Sequence, residues 1–182
     1  MQISTSPERK ELQIVELAGS SVIKVAELLK ILADKAGPAL EAISESAAVI
    51  KPGEGKWSKK EIIGHLVDSA ANNHQRFVRA LIEPELHFPS YDQELWVRSQ
   101  AYQHMEWGQL IELWRYYNLM VAHVVKQIPE VSFNTQCWIG AAKPVPLVYL
   151  VRDYLRHVTH HLSQVLPELL ILQLPADFIS SS

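Results

Sequence analysis

Hydrophobic side chains recur at helical spacing in four long segments of this 182-residue chain, and its prolines and glycines collect mostly in the stretches between them. An all-β chain would show turn residues about every ten positions, so this distribution predicts an all-α fold. The first helical segment extends from about residue 6 to residue 50. Pro7 suits a helix start, whereas Gly37-Pro38 predicts a break or a kink. A loop is expected over residues 51–56.

A capping box marks the start of the second long helix. In Ser58-Lys59-Lys60-Glu61 the Ser58 hydroxyl can accept from the Glu61 amide, and the Glu61 side chain can reach back to Ser58. Trp57, just outside the cap, is expected to pack against Ile62 as a hydrophobic staple. The helix should continue to about residue 82.

A long connection over residues 83–103 separates the second helix from the third. A connection of this length in a compact domain is often functional or contains a helical turn of its own, and residues 92–99 suit that turn. Five aromatic side chains are expected to pack this crossover onto the bundle: Phe88, Tyr91, Trp96, Trp107 and Trp138.

The third helix is predicted over residues 107–128, and the last from Pro146 to about residue 170, with a kink or an early stop at Pro167. Four long helices and one long crossover indicate an antiparallel or up-and-down four-helix bundle. The whole chain, residues 1–182, fits a single domain with a substantial core.

Composition narrows the classes of partner. Apolar residues make up 48% of the chain and charged residues 20%, as in soluble globular proteins, and the formal net charge of −3 gives no electrostatic reason to expect nucleic acid. No signal peptide or membrane-spanning segment is indicated, so a cytoplasmic location is expected. The single cysteine, Cys137, is predicted to be structural, because no neighbour would lower the pKa of its thiol.

Two histidines of the last helix lie one turn apart. On an ideal helix His161 lies about 70° from the centre of the apolar stripe, His157 about 110° and His160 about 170°. His157 and His161 therefore share one flank and can hold a metal ion together, while His160 should face solvent. The stripe consists of Leu147, Val151, Leu155, Val158, Leu162, Val165 and Leu169.

His65, on the second helix, is the candidate third ligand. It lies about 100° from the buried side of that helix, at the edge of the core-facing stripe. Three protein ligands would leave coordination positions open, as in a catalytic metal site. From the residues alone, a structural or surface role for these histidines stays open. Four other histidines lack a partner at chelating spacing and are expected to be structural or exposed: His74, His87, His104 and His123.

Three motifs follow one another along the chain: Trp57-Ser58-x-x-Glu61-x-x-x-His65-Leu66-x-Asp68, Tyr91-Asp92-x-x-x-Trp96 and His157-x-x-x-His161-x-x-Gln164. Together they resemble the DinB/YfiT-like superfamily of four-helix-bundle metalloproteins, over about residues 20–170. In that family one histidine of the second helix and two of the last hold the metal. The resemblance assigns these roles to His65, His157 and His161.

The resemblance implies a divalent metal ion, zinc or nickel, a small-molecule substrate and a homodimer. Characterised members include S-transferases that use a low-molecular-weight thiol, a thiol-dependent isomerase and proteins described as metal-dependent hydrolases. The resemblance therefore implies one of two reactions. A thiol would attack an electrophilic carbon, or water would attack an amide or ester carbonyl. Two alternatives are a metal- or ligand-binding bundle without turnover, and a structural bundle whose histidines are incidental.

Nearby polar side chains are candidates for orienting the metal ligands. Metal-bound histidines commonly donate their second ring N–H to a carboxylate. Asp153 lies one turn before the histidine pair and Asp68 one turn after His65, although each could equally be a solvated carboxylate. Gln164 could bond a water at the metal or bridge to a neighbouring helix, and Tyr154 is expected to line the cleft.

Overall fold

The computed structural model describes the backbone of residues 7–167 and the side chains of residues 21–167. Within that range the chain forms six α-helices, two 3-10 helices and three short strands. In order these are α1 (Pro7–Glu41), α2 (Glu45–Ala48), α3 (Lys59–Ala80), β1 (Leu86–Phe88), α4 (Gln93–Gln100), a 3-10 helix (Tyr102–His104), α5 (Trp107–Lys126), a second 3-10 helix (Glu130–Ser132), β2 (Gln136–Ile139), β3 (Val145–Pro146) and α6 (Leu147–Val165).

The four long helices α1, α3, α5 and α6 form the predicted bundle, but their order around it is not a simple up-and-down ring. The strong packing contacts join α1 to α5, α5 to α3, α3 to α6, and α6 back to α1. Helices that follow each other in sequence, α1 with α3 and α5 with α6, therefore lie across the diagonals. Each diagonal needs a long connection, and the segments between α1 and α3 (residues 42–58) and between α5 and α6 (residues 127–146) supply them.

The expected break at Gly37-Pro38 is wrong, because α1 continues through both residues to Glu41. Pro38 lies in the last turn of the helix, where its missing N–H removes one backbone hydrogen bond close to an end that is already unpaired. The first segment also ends earlier than residue 50. A separate short helix, α2, follows and is capped by Ser44, whose side chain accepts from Ala47 N at 3.3 Å.

The capping box at the start of α3 is confirmed in both directions. Ser58 Oγ accepts from Glu61 N at 3.2 Å, and Glu61 Oε2 accepts from Ser58 N at 2.8 Å. Lys51 also donates to Glu61, at 2.7 Å from Oε1, so the loop before the helix is tied to its first turn. This fixes where α3 begins and hence which of its residues face each neighbour.

The crossover between α3 and α5 covers the outer side of α3. It carries β1, the helix α4 at the predicted position, and the first 3-10 helix, and all three contact α3. Every residue of α3 from Lys60 to Ala70 is consequently buried. His65 was expected at the edge of the core-facing stripe, and instead only 1% of it is exposed.

A small sheet, which the hydrophobic pattern did not predict, joins the two connections. β1 pairs in parallel with β2, placing Leu86 opposite Cys137, and β2 pairs antiparallel with β3. The strands have two to four residues each, too few to show a period-two pattern in the sequence. The sheet ties the crossover to the segment that leads into α6.

The third and last helices lie close to their predicted positions. α5 begins at Trp107 and ends at Lys126, and α6 begins after Pro146 and stops at Val165, before Pro167. Leu113 and Met120 of α5 are each 42% exposed, so they lie outside the buried face of that helix. The apolar stripe of α6 is buried at Leu147, Val151, Leu155, Val158, Leu162 and Val165, while Leu169 lies outside the described residues.

Across the described helices, none combines the length and the apolar character needed to cross a bilayer.

Gly64 allows the crossover to approach α3 closely. A Cβ at this position would lie 2.1 Å from Cδ2 of Tyr102, whose ring packs directly on the helix. We expect Gly64→Ala to lower the free energy of unfolding by about 1–3 kcal/mol, because a buried ring must move to admit the methyl group. Urea unfolding followed by circular dichroism measures this.

Gly53→Ala is the matched control for that variant. The nearest atom to its new methyl group would be Lys56 Cγ at 3.8 Å, so the free energy of unfolding should change by less than about 0.5 kcal/mol. Equal stability of the two variants would contradict the close approach of Tyr102 to α3.

Candidate metal centre

Three imidazoles from two helices meet beside the crossover. The ring centroid of His65 lies 5.0 Å from that of His157 and 4.8 Å from that of His161, and the latter two are 4.6 Å apart. One nitrogen from each ring lies within 4.8 Å of the others. Metal–nitrogen bonds of about 2.0–2.1 Å allow ligand nitrogens up to about 4.2 Å apart, so a small side-chain adjustment would bring all three onto one ion.

The ring nitrogens of this trio are buried without hydrogen-bond partners. Nδ1 and Nε2 of His65, Nε2 of His157 and Nδ1 of His161 are all inaccessible to solvent and make no hydrogen bond within the described residues. A buried polar atom without a partner is costly in a folded protein. One nitrogen from each of the three rings fits a group that accepts lone pairs, and a divalent metal ion is such a group.

The environment keeps these imidazoles neutral. Burial, together with the charges of His157 and His161, lowers the pKa of His65 to about 3. Burial, with the charge of His161, lowers the pKa of His157 to about 4. The pKa of His161 is lowered by burial and by His160. Neutral imidazole is the form that binds metal, so the site is ready at neutral pH without losing protons.

Trp57 forms one wall of the centre. Its ring centroid lies 5.0 Å from that of His65 and 6.4 Å from that of His161, and its Nε1 donates to Glu94 at 3.1 Å. The same side chain lines a surface pocket of about 360 Å³ that includes Arg98 but none of the three histidines. Trp57 therefore separates that pocket from the centre. The capping position had suggested only a staple for this residue.

Asp68 neither bonds to His65 nor is solvated, the two roles that the sequence left open for it. Its Oδ1 accepts from the Tyr102 hydroxyl at 2.6 Å and from the Gln100 side chain, both in the crossover, while Oδ2 is buried without a partner in the described part of the chain. The crossover draws this carboxylate away from the histidine. Burial raises its pKa to about 6, against the lowering effect of the two hydrogen bonds. Neither partner was predictable from helix spacing alone.

The other proposed neighbours also have different contacts. Asp153 accepts from Arg156 at 2.5 Å, and no hydrogen bond joins it to His157. Gln164 contacts His160, Nε2 to Nε2 at 3.0 Å. Tyr154 is 2% exposed and donates to Asn118 Oδ1 at 2.7 Å, so it belongs to the bundle core.

The remaining histidines and the cysteine stand where the sequence predicted. His160 is exposed, as are His87, His104 and His123, and His74 is partly buried. Cys137 is fully buried in β2, its thiol donates to Thr135 O at 3.4 Å, and burial raises its pKa to about 11. A thiol with a raised pKa is a poor nucleophile, which supports a structural role.

Asp68 should make stability depend on pH. The folded carboxyl keeps its proton up to about pH 6, whereas the unfolded one ionises near pH 4, so this group loses stability as pH rises through that window. Asp68→Asn removes the titration while Asn Oδ1 can still accept from Tyr102. Between pH 4 and pH 7, we expect the free energy of unfolding of the variant to rise relative to that of the parent by up to roughly 2 kcal/mol. Urea unfolding of metal-free protein at both pH values measures this, and a constant difference between the proteins would contradict it.

Comparison with known proteins places this geometry in a family. No curated protein matches the chain. Among solved structures, the fold is similar to YfiT from Bacillus subtilis, described as a probable metal-dependent hydrolase with an unusual four-helix bundle topology, at a TM-score of 0.63 and 19% sequence identity, covering 90% of this chain and 87% of that one. At that identity the likeness shows the fold alone. The family model for the DinB superfamily matches residues 29–165, which is most of the chain, and so this protein belongs to the DinB superfamily.

Proposed function

We propose that this protein is a metal-dependent enzyme that acts on a small molecule, with a divalent ion held by His65, His157 and His161. The observation that carries the proposal is the convergence of three imidazoles from two helices, each offering one nitrogen within 4.8 Å of the others, with buried ring nitrogens that lack hydrogen-bond partners among the described residues. A core histidine with a structural role would satisfy at least one nitrogen by a hydrogen bond. His65 satisfies neither of its two within the described residues.

The donor set fits zinc or nickel, since imidazole nitrogen suits both ions. When bound, such an ion lowers the pKa of a water or thiol that it holds and so supplies a nucleophile near neutral pH. Three neutral ligands leave the full charge of the ion available for this. Within the chain, the imidazoles set the position of the ion and Trp57 excludes solvent on one side.

Both hydrolysis and thiol transfer are consistent with this arrangement. The described residues place no carboxylate in hydrogen-bond contact with the histidine nitrogens, so no separate general base distinguishes the two reactions. The description of YfiT as a probable metal-dependent hydrolase supports the first. The motif resemblance to thiol-dependent S-transferases supports the second, with a low-molecular-weight thiol as cosubstrate.

Replacing the histidines tests the function. We expect His65→Ala, His157→Ala and His161→Ala each to lose the ion during dialysis, because two imidazoles hold it far less tightly than three, and to lose turnover of whichever ester, amide or thiol–electrophile pair the parent converts. Elemental analysis and product assays measure the two effects.

His160→Ala is the matched control, because His160 lies beside the trio but faces solvent. It should keep about one ion per chain. Turnover that survives in the His157→Ala, His161→Ala double variant would rule out a metal-centred reaction. Tight metal or metabolite binding with no product from a broad panel would instead favour a binding bundle without turnover.

Proton release on metal binding tests the neutral state of the trio. Three imidazoles with ordinary pKa values near 6.5 would release roughly two protons per ion at pH 6. Here burial lowers all three pKa values, to about 3 for His65 and about 4 for His157, so we expect less than one proton. Zinc titration calorimetry in buffers of different ionisation enthalpy measures the number. A value near two would contradict the buried, neutral site.

A further inference from the structure

Arg76 carries a positive charge that forms no close ion pair among the described residues, although the charge of Asp153 on α6 acts on it. Its Nη1 donates to the neutral Asn73 Oδ1 at 3.3 Å, which is a long hydrogen bond, and its Nε is buried without a partner among residues 21–167. No carboxylate in that range lies within ion-pairing distance of it, although Arg79, one turn later, pairs with Glu83. A buried guanidinium N–H that donates to no acceptor is unfavourable, so a bound ligand that accepts from it would stabilise the protein.

Arg76 lies on the same face of α3 as His65. Eleven residues separate them, which on an ideal helix is about 20° in direction and roughly 16 Å along the axis. Side chains lean toward the N-terminus of a helix, and the bond from Arg76 to Asn73, three residues earlier, shows that this one does. The side chain therefore extends back toward the histidines.

The face between these two residues is polar although it is buried. Asp68, Ser69, Asn72 and Asn73 are all at most 9% exposed and lie on the part of α3 that connects the imidazole to the guanidinium. A bundle that only needed a core would fill such positions with apolar side chains. A polar lining of this kind suits a solvated or ligand-filled cleft.

The guanidinium of Arg76 packs against the crossover. The guanidinium carbon lies 5.3 Å from the ring centroid of Phe88 in the crossover, and Tyr91 interacts with it electrostatically. The crossover thus holds the guanidinium in place.

We propose that Arg76 binds the carboxylate of an anionic small-molecule substrate whose reacting group lies at the three-histidine centre. The inference rests on the proposed function and narrows its substrate class. Nη1 is bonded to Asn73, which leaves the edge formed by Nε and Nη2. Two parallel N–H donors on that edge match the two oxygens of a carboxylate.

Paired ligands that differ only in charge test the proposal. The protein is loaded with cobalt, and ω-mercaptocarboxylates with one to four methylene groups are titrated beside the corresponding amides, with the thiolate-to-cobalt absorbance as readout. We expect the parent to bind the acid at least about tenfold more tightly than the amide at one chain length or more. Arg76→Met should remove this preference, and Arg76→Lys should keep only part of it, because lysine cannot form the paired bonds.

Arg79→Met is the matched control, since it removes the same charge from an exposed position on the same helix. It should keep the preference for the acid. Equal affinity for acid and amide at every chain length in the parent, or a preference that persists in Arg76→Met, would overturn the proposal. Cobalt content measured in every variant confirms that a lost preference does not reflect a lost ion.

A metal-free measurement separates this proposal from the proposed function. If the parent does not hold cobalt, the metal-centred function fails, and the nuclear magnetic resonance signal of the Arg76 Nε–H then decides the carboxylate site. Propionate should shift this signal while propionamide leaves it unchanged, and the Arg79 signal should not respond. No shift with propionate would overturn the assignment of Arg76.

Discussion

Burial of the first part of α3 is the constraint on which the rest of this structure depends. Lys60 to Ala70 are surrounded by α5, α6 and the crossover, so every polar side chain in that stretch must find a partner or remain unsatisfied in a dry environment. Lys60 finds Met105 O at 2.5 Å and the Glu45 carboxylate. His65 finds none within the described residues. That difference separates a side chain that holds the fold together from one that is available to a ligand.

The crossover is what encloses the centre. Tyr102 packs on the backbone of Gly64, directly before His65, and donates to Asp68, three residues after it. Trp57 closes the side next to the α3 cap. These contacts remove water from around the imidazoles and so depress their pKa values. The same enclosure raises the pKa of Asp68. One packing arrangement thus shifts an acid and three bases in the directions that keep all of them neutral.

Membership of the DinB superfamily and the similarity to YfiT establish the architecture, but a shared bundle hosts different reactions. The reaction is decided by what surrounds the three histidines. In this chain the neighbourhood combines a tryptophan wall, a buried polar face on α3 and a guanidinium whose Nε has no hydrogen-bond partner among the described residues. Those features are properties of this sequence, and they are where its specificity should be sought.

The sequence by itself determined the elements whose signals are local. The capping box at Ser58, the four long helices, the stop before Pro167 and the shared flank of His157 and His161 all follow from spacing along one helix, because rotation per residue fixes where side chains point. Helical geometry made His65 the candidate third member, the motif resemblance assigned it the same role, and the structure brings the three rings together. Local rules fail where a local preference is outweighed, as at Pro38, which α1 tolerates in its last turn.

Only the tertiary structure decided the contacts between segments distant in sequence. It placed the crossover over α3, so that His65 is enclosed and not at an edge, and it gave Asp68 to Tyr102 and Gln100. It also formed a sheet from strands too short to have a pattern. The helical period states the direction of a side chain but not what packs against it. The burial of His65, the shifted pKa values of the histidines and Asp68, and the unpaired Nε of Arg76 all depend on what packs against each side chain.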